Sequence, residues 1–270
     1  MSHQITPKIR IETLKLTRFL ADQFHQKNET DLAAICRDEG IKIIVDDYKH
    51  YFDGMLVWDG RAFNIHLNSA KGNILSSARG HFSLAHELGH YFLGAHNYLI
   101  RNGEIKPHPS NIALFHQDKM EAEADYFASC LLMPKERLRN FTGGRKFSLD
   151  IIKEVSESFK VSLTAALIRF AEIGTHEIMA VFCENNTIKW YCKSDDFPIL
   201  SHNFKVGAPP PPTSVLGESF LKSDAQYTSV QLIDLEDWFF DRKGAPTSQL
   251  YEQCFYSDFY GYAISLVWFK

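Results

Sequence analysis

The sequence predicts an α+β fold, and three observations support this class. In the first half of the chain, segments with apolar residues at helical spacing are interspersed with short β-branched and aromatic runs. A pair of helical segments joined by a short turn follows, and from Glu177 onward the pattern is that of strands. A chain of 270 residues has room for two or three units. We therefore predict a mixed core over residues 1–142, a helical segment over 143–175 and a β-rich, aromatic domain over 176–270.

The composition is ordinary for a globular protein. Hydrophobic residues make up 45% and charged residues 23%, and the net charge of −4 gives no electrostatic reason to expect general nucleic-acid binding. The five cysteines are widely spaced without a CxxC pair, which favours a reducing compartment over a disulfide framework. Residues 1–10 contain no apolar signal region, and no uncharged apolar run reaches the ~18 residues of a membrane span. We expect a cytoplasmic protein that does not associate with membranes.

The first elements in chain order are two amphipathic helices within residues 9–38, which end at Gly40. Three strands follow at residues 41–45, 54–58 and 62–68, with Asp59-Gly60 marking a hairpin between the second and the third. Alternation in the third strand predicts that Phe63, Ile65 and Leu67 face one side and Asn64, His66 and Asn68 the other. His66 is therefore interpreted as a residue of the strand surface.

The next helix, residues 82–93 with Gly94 as its end, is apolar on most of its surface and is predicted to be buried. It contains His86-Glu87-Leu88-Gly89-His90, in which the two histidines are four residues apart and lie on one helical face, roughly 6 Å from each other. Burying these side chains is costly unless a metal satisfies them. In the HExxH pattern of metalloproteases, His86 and His90 would bind the metal, and Glu87, rotated off that face, would act as the general base.

The segment from residue 95 to 118 is rich in loop-forming residues and is predicted to be a substrate-facing rim. It contains His96, His108 and His116. We interpret each as a surface histidine, with the alternative that one of them stabilises the transition state.

A second helix is predicted over residues 119–133, ended by Pro134. Glu121 and Asp125 share one face of it. A catalytic zinc site needs three protein ligands and one open position, and Glu121 would complete a His-His-Glu set. Asp125 could accept the free N–H of a ligand histidine and so fix its tautomer. Glu123 is the alternative third ligand, but it is turned some 200° from Glu121.

These two motifs resemble the ImmA/IrrE family of metallopeptidases. The resemblance covers residues 82–134 and includes the ending Leu131-Leu132-Met133-Pro134, whereas the family commonly has Asn at the position of Asp125. It implies a zincin-like core, one Zn²⁺ ion and peptidase activity. It also implies a protein substrate: a partner helix-turn-helix (XRE-type) repressor or antitoxin, whose cleavage would derepress stress, mobile-element or toxin–antitoxin genes.

Residues 148–159 and 163–173 are predicted to form two helices with Ser148 and Ser162 as N-caps, a pattern that resembles a helix-turn-helix. DNA recognition is one interpretation. The second helix, however, offers only Thr164, Arg169 and Glu172 as polar side chains, too few for major-groove readout. We favour a packing role, as in the accessory helices that often follow the core in the resembling family, and do not expect direct DNA binding.

The C-terminal part begins with a predicted hairpin of residues 178–183 and 187–192, turning at Asn185-Asn186, and ends in a buried strand at 261–269. Residues 209–212 are four prolines and an interpretation as loop is simplest. No catalytic constellation is present, so a sensor or substrate-docking domain is the expectation. The alternative to the peptidase as a whole is a regulatory protein that binds a repressor or antitoxin without cleaving it. The sequence indicates no oligomeric state.

Overall fold

The computed structural model describes the chain in two compact units. Unit 1 contains Met1–Phe141 and Lys153–Ala166, and unit 2 contains Thr142–Ile152 and Leu167–Lys270. The described residues are 5–105, 110, 118–173, 175–219, 229–240, 249–257 and 261–270. The three-part division of the sequence, with boundaries at 142 and 175, stays a prediction.

Unit 1 begins with helix α1 (Pro7–Gln23), a short hairpin of β1 (His25–Gln26) and β2 (Glu29–Thr30), and helix α2 (Leu32–Asp38). Thr6 caps α1 by accepting a hydrogen bond from the amide of Ile9, and Asp31 caps α2 in the same way. The two helices before Gly40 confirm the prediction. The hairpin between them was not predicted.

A three-stranded sheet follows, made of β3 (Lys42–Asp46), β4 (Gly54–Trp58) and β5 (Phe63–Asn68) in the order β3-β5-β4. Strand β5 runs parallel to β3 and antiparallel to β4. The predicted alternation holds as far as Leu67. Asn68 departs from it, because its side chain is buried and donates hydrogen bonds to the carbonyls of Lys49 and Phe52, which holds the loop before β4 in place.

The helical part of unit 1 comprises α3 (Ala78–Phe92), α4 (Gly94–Arg101), α5 (Lys119–Leu132) and α6 (Lys135–Thr142). Helix α3 packs against β4, β5 and α5. Helix α3 ends at Phe92 with Leu93 as its C-cap, directly before Gly94 as predicted, but the loop predicted after Gly94 was wrong in its first part. Leu93 is extended and interrupts the helix, and Gly94 then begins α4, so the predicted loop is helical as far as Arg101. His108 and His116 lie outside the described residues.

Helices α7 (Leu149–Ser158) and α8 (Leu163–Ile173) confirm the predicted helical pair, and each contributes residues to both units. Lys160 turns the chain with a φ of 51°. The hydroxyl of Ser162 accepts a hydrogen bond of 3.1 Å from the amide of Ala165, which is the predicted N-cap.

Unit 2 contains an antiparallel five-stranded sheet of β6 (Ile178–Glu184), β7 (Thr187–Lys193), β8 (Gln231–Asp234), β9 (Gln249–Ser257) and β10 (Tyr262–Phe269), with a short helix α9 (Val215–Ser219) between β7 and β8. The order is β7-β6-β10-β9-β8. Asn185 and Asn186 both have positive φ, as the predicted two-residue hairpin requires. Strands β8 and β9 were not predicted. In the described part of the chain, no helix is both long and apolar enough to cross a bilayer.

Candidate metal centre

The candidate site lies where α3 and α5 approach each other closely. Gly89 of α3 makes this approach possible, since a Cβ there would lie only 3.2 Å from the Cα and carbonyl oxygen of Ala124 and 3.3 Å from the Cβ of Phe127. Both positions facing each other carry small residues, so the two backbones come near and short side chains can meet. His86 and His90 of α3 thereby face Glu121 of α5.

The three side chains predicted as ligands converge on one point. The Nε2 atoms of His86 and His90 are 3.1 Å apart. His86 Nε2 lies 3.3 Å from one carboxylate oxygen of Glu121, and His90 Nε2 lies 3.2 Å from the other. In a tetrahedral zinc site with bonds of about 2.0–2.1 Å, neighbouring ligand atoms are about 3.3 Å apart. The donor set and its spacing therefore fit a small divalent cation, and it is the one such group of three found among the described residues.

Burial makes this group electrostatically unusual. All three side chains are almost inaccessible to solvent. Burial alone would raise the pKa of Glu121, but the two neighbouring histidines lower it well below its usual range. For His86, burial favours the neutral form, yet the hydrogen bonds with Asp125 and Glu121 outweigh it and raise the pKa above the ordinary value. Without a metal, the negative charge of Glu121 is thus stabilised by positive charge on the facing imidazole of His86. A bound cation would supply that positive charge instead.

Asp125 lies on the other side of His86. Its Oδ1 is 2.8 Å from His86 Nδ1, while Nε2 of the same ring faces Glu121. A proton on Nδ1 donated to Asp125 leaves the lone pair on Nε2. The contact is the one the sequence predicted for this residue.

Glu87 is also buried beside this group, with 1% of its surface exposed. Gly54 of β4 leaves the space for it, because a Cβ at Gly54 would come within 2.7 Å of Glu87 Oε1. Neither carboxylate oxygen has a hydrogen bond of good geometry. Burial raises the pKa of Glu87 to about 7, although His86, the Ser110 hydroxyl and the Leu56 amide lower it in part. A carboxyl group with this pKa can both accept and release a proton at neutral pH.

The prediction that His96 lies on the surface was wrong. Only 2% of this residue is exposed, because α4 turns its side chain inward. Its Nδ1 lies 3.2 Å from Nδ1 of His90, and its Nε2 lies 3.0 Å from Oε2 of Glu123. Burial lowers its pKa, and the neighbouring His90 lowers it further. The sequence offers only the four-residue spacing of His96 and Ile100, which puts both on one face once this segment is known to be helical.

Glu123 and His66 are not part of the convergent group. Glu123 meets His96, and its other oxygen lies 3.6 Å from Lys119 Nζ. His66 lies on β5, where its Nδ1 is 2.7 Å from the hydroxyl of Tyr48.

Comparison with known proteins agrees with this site. No curated protein matches the chain. Among solved structures, one described as a Mycobacterium tuberculosis transcriptional regulator is similar with a TM-score of 0.58 at 11% identity, over 97% of this chain and 76% of that one. At this identity the likeness shows the fold alone. A family model described as the IrrE N-terminal-like domain of the M78 peptidases matches residues 36–171, which include every ligand candidate and half of the chain. The chain belongs to this family of IrrE N-terminal-like peptidases.

Proposed function

We propose that the protein is a zinc-dependent endopeptidase whose metal is held by His86, His90 and Glu121. The observation that carries the proposal is the convergence of two imidazole Nε2 atoms and a carboxylate at 3.1–3.3 Å, in a buried position where no solvent would stabilise the charges. Two nitrogens and one carboxylate with a further position open form a donor set that catalytic zinc sites use.

Bound zinc would supply Lewis acidity, which makes water a nucleophile at neutral pH and polarises a peptide carbonyl. The chain supplies the proton transfers. Glu87 would accept a proton from the attacking water on its carboxylate and donate it to the departing amine, and its raised pKa suits both steps. Asp125 would keep the proton of His86 on Nδ1, so that Nε2 stays available to the metal.

The proposed substrate is a partner helix-turn-helix (XRE-type) repressor or an antitoxin. Support comes from the resemblance of the motifs around His86 and Glu121 to the ImmA/IrrE peptidases and from membership of the IrrE N-terminal-like family. Cleavage would release stress, mobile-element or toxin–antitoxin genes from repression. The proposal includes a cytoplasmic location, because such a repressor acts there.

Helix α8 bears on the alternative of direct DNA recognition. Arg169 is its strongest candidate for a contact to a base or phosphate, yet it is 3% exposed and its guanidinium lies 3.1 Å from the carboxylate of Glu172. A buried, paired arginine is unavailable to the major groove. This favours packing as the role of the helical pair.

The test combines metal analysis with a matched variant. The purified protein is assayed for zinc and incubated with candidate helix-turn-helix repressors, beginning with any that is encoded beside it, with Glu87→Gln as the control that keeps size and burial. We expect one zinc per chain in both proteins, cleavage by the wild type, and a rate about 10²–10⁴ times lower in the variant.

Two results would contradict the proposal. Absence of stoichiometric zinc after purification and after reconstitution would remove the metal site. Full biological effect from Glu87→Gln would mean that the protein acts by binding its partner and not by cleaving it.

A further inference from the structure

The two ring nitrogens of His90 contact different groups of the described part of the chain. Its Nε2 is directed at Glu121 and His86, while its Nδ1 lies 3.2 Å from Nδ1 of a third buried histidine, His96. Beyond that ring, Nε2 of His96 lies 3.0 Å from Oε2 of Glu123. The four groups Glu121, His90, His96 and Glu123 thus form a continuous chain of polar contacts through two imidazoles.

The proton positions in this chain follow from its ends. A carboxylate only accepts hydrogen bonds, so Glu123 selects the form of His96 that carries its proton on Nε2. In that neutral ring Nδ1 is an acceptor. The facing Nδ1 of His90 must then carry a proton and donate it, which leaves a lone pair on Nε2 of His90. The reverse arrangement would aim a lone pair of His96 at the carboxylate and place a proton on the metal side of His90.

We propose that His96 and Glu123 are positioning residues, which fix the ring orientation and tautomer of the metal ligand His90 through this chain of two hydrogen bonds. The inference rests on the proposed zinc site and extends it to two residues that the catalytic scheme does not use. This series of hydrogen bonds reaches His90 from α4. Gly94 begins α4 directly after α3, and the side chain of His96 in the first turn of α4 faces back to His90.

The two ligand histidines are then held differently. His86 meets a carboxylate directly, through Asp125, whose side chain is 24% exposed. On the side away from Glu121, Nδ1 of His90 contacts His96, and the carboxylate that His96 contacts in turn, Glu123, is 7% exposed. Lys119 lies 3.6 Å from the other oxygen of Glu123 and partners its charge. Removing the orienting partner of a metal-bound histidine typically reduces metal affinity about 10–100-fold.

The experiment measures affinity for Zn²⁺ by chelator competition in the full chain, together with the visible absorption of the Co²⁺-substituted protein, which reports ligand geometry. His96→Phe keeps a ring but removes both hydrogen bonds. His96→Gln retains an acceptor for His90 and a donor for Glu123. Asn97→Ala is the matched control, since Asn97 is the next residue of α4 and donates to the carbonyl of Tyr91, outside the chain.

We expect His96→Phe to weaken zinc binding about 10–100-fold and to alter the Co²⁺ spectrum, with both largely restored in His96→Gln and unchanged in Asn97→Ala. Urea unfolding of the metal-free proteins separates this from lost stability. If His96→Phe does not fold, Glu123→Ala and Glu123→Gln test the same chain from its other end, with loss expected in the first and retention in the second.

Unchanged affinity and spectrum in His96→Phe, or in Glu123→Ala, would overturn the inference while leaving the zinc site intact. An equal loss in His96→Phe and His96→Gln would also overturn it, because packing alone would then explain the effect. A wild-type protein that binds no zinc would instead overturn the proposed function, and the inference with it.

Discussion

Each unit buries a glutamate carboxylate, and the two differ in what surrounds it. Glu252 of β9 in unit 2 is 0% exposed, and donors of the chain itself meet both of its oxygens. They are the amides of Val215 and Leu216 at 3.0 and 2.9 Å, the indole N–H of Trp238 at 2.9 Å and the hydroxyl of Ser265 at 2.6 Å. Glu87 in unit 1 is equally buried, but neither of its oxygens has a hydrogen bond of good geometry.

The difference indicates two uses of a buried charge. At Glu252 the chain supplies every partner, so the group ties α9, Trp238 and β10 to β9 and contributes to the stability of unit 2. At Glu87 the chain compensates for burial only in part, through the Ser110 hydroxyl and the Leu56 amide, and the pKa of the carboxyl stays raised. Groups of this second kind concentrate at functional sites, where a substrate or water completes them.

The largest effect on stability is expected from Glu252→Ala. It leaves two backbone amides, an indole N–H and a hydroxyl buried without their acceptor, at roughly 1–3 kcal/mol for each unsatisfied donor. We expect the free energy of unfolding to fall by about 4 kcal/mol or more, measured by urea titration. Glu87→Gln should change it by less than about 1 kcal/mol in the same assay at pH 4.5, where the native Glu87 carboxyl is protonated and neutral like the amide that replaces it. Similar losses in the two variants would end the distinction between the two carboxylates.

A smaller effect is expected from pH in the metal-free protein. Burial raises the pKa of Glu87 from 4.5 to about 7, so the native state retains a proton that the unfolded chain releases. The contribution of Glu87 to stability is therefore fully present below pH 4.5 and is lost as pH rises to about 7, by about 3 kcal/mol in total. Urea titrations in chelator across this range should show wild type losing more stability than Glu87→Gln. Parallel curves would contradict the raised pKa.

The smallest effect is expected at the helix crossing. In Gly89→Ala the new methyl meets Ala124 at 3.2 Å, which pushes α3 from α5, costs about 1–3 kcal/mol of stability and weakens zinc binding. Gly94→Ala is the control, since a Cβ there has nothing within 4 Å. Both variants are assayed by urea titration and chelator competition. Equal zinc affinity in the two would mean that the close approach does not set the ligand geometry.

Much of the fold could be predicted where periodicity is strong and turns are marked. The Asn185-Asn186 hairpin and the Ser162 cap are local, because positive φ and side-chain capping depend on a few neighbouring residues. Strands β8 and β9 were missed, since β8 is only four residues long and β9 mixes polar and apolar residues without clear alternation.

In the site, the spacing of His86 and His90 and the offset of Glu87 could be predicted, because one helix determines them by its own geometry. The preference for Glu121 over Glu123 also came from helical geometry, and in the structure Glu121 is the one that meets both histidines. His96 could not be placed, since glycine after a helix usually ends it and the restart at Gly94 depends on packing.

The sequence by itself thus determined the donors that can share one helical face and the elements that carry them. Only the tertiary structure decided which donors face each other across helices. The close approach of Gly89 to Ala124 brings the ligand histidines to Glu121. The position of α4, which begins directly after α3, brings His96 to His90. Through this second contact, His90 of the HExxH motif meets His96 and, through it, Glu123. Contacts between helices depend on the packing of whole surfaces, which no local pattern of residues encodes.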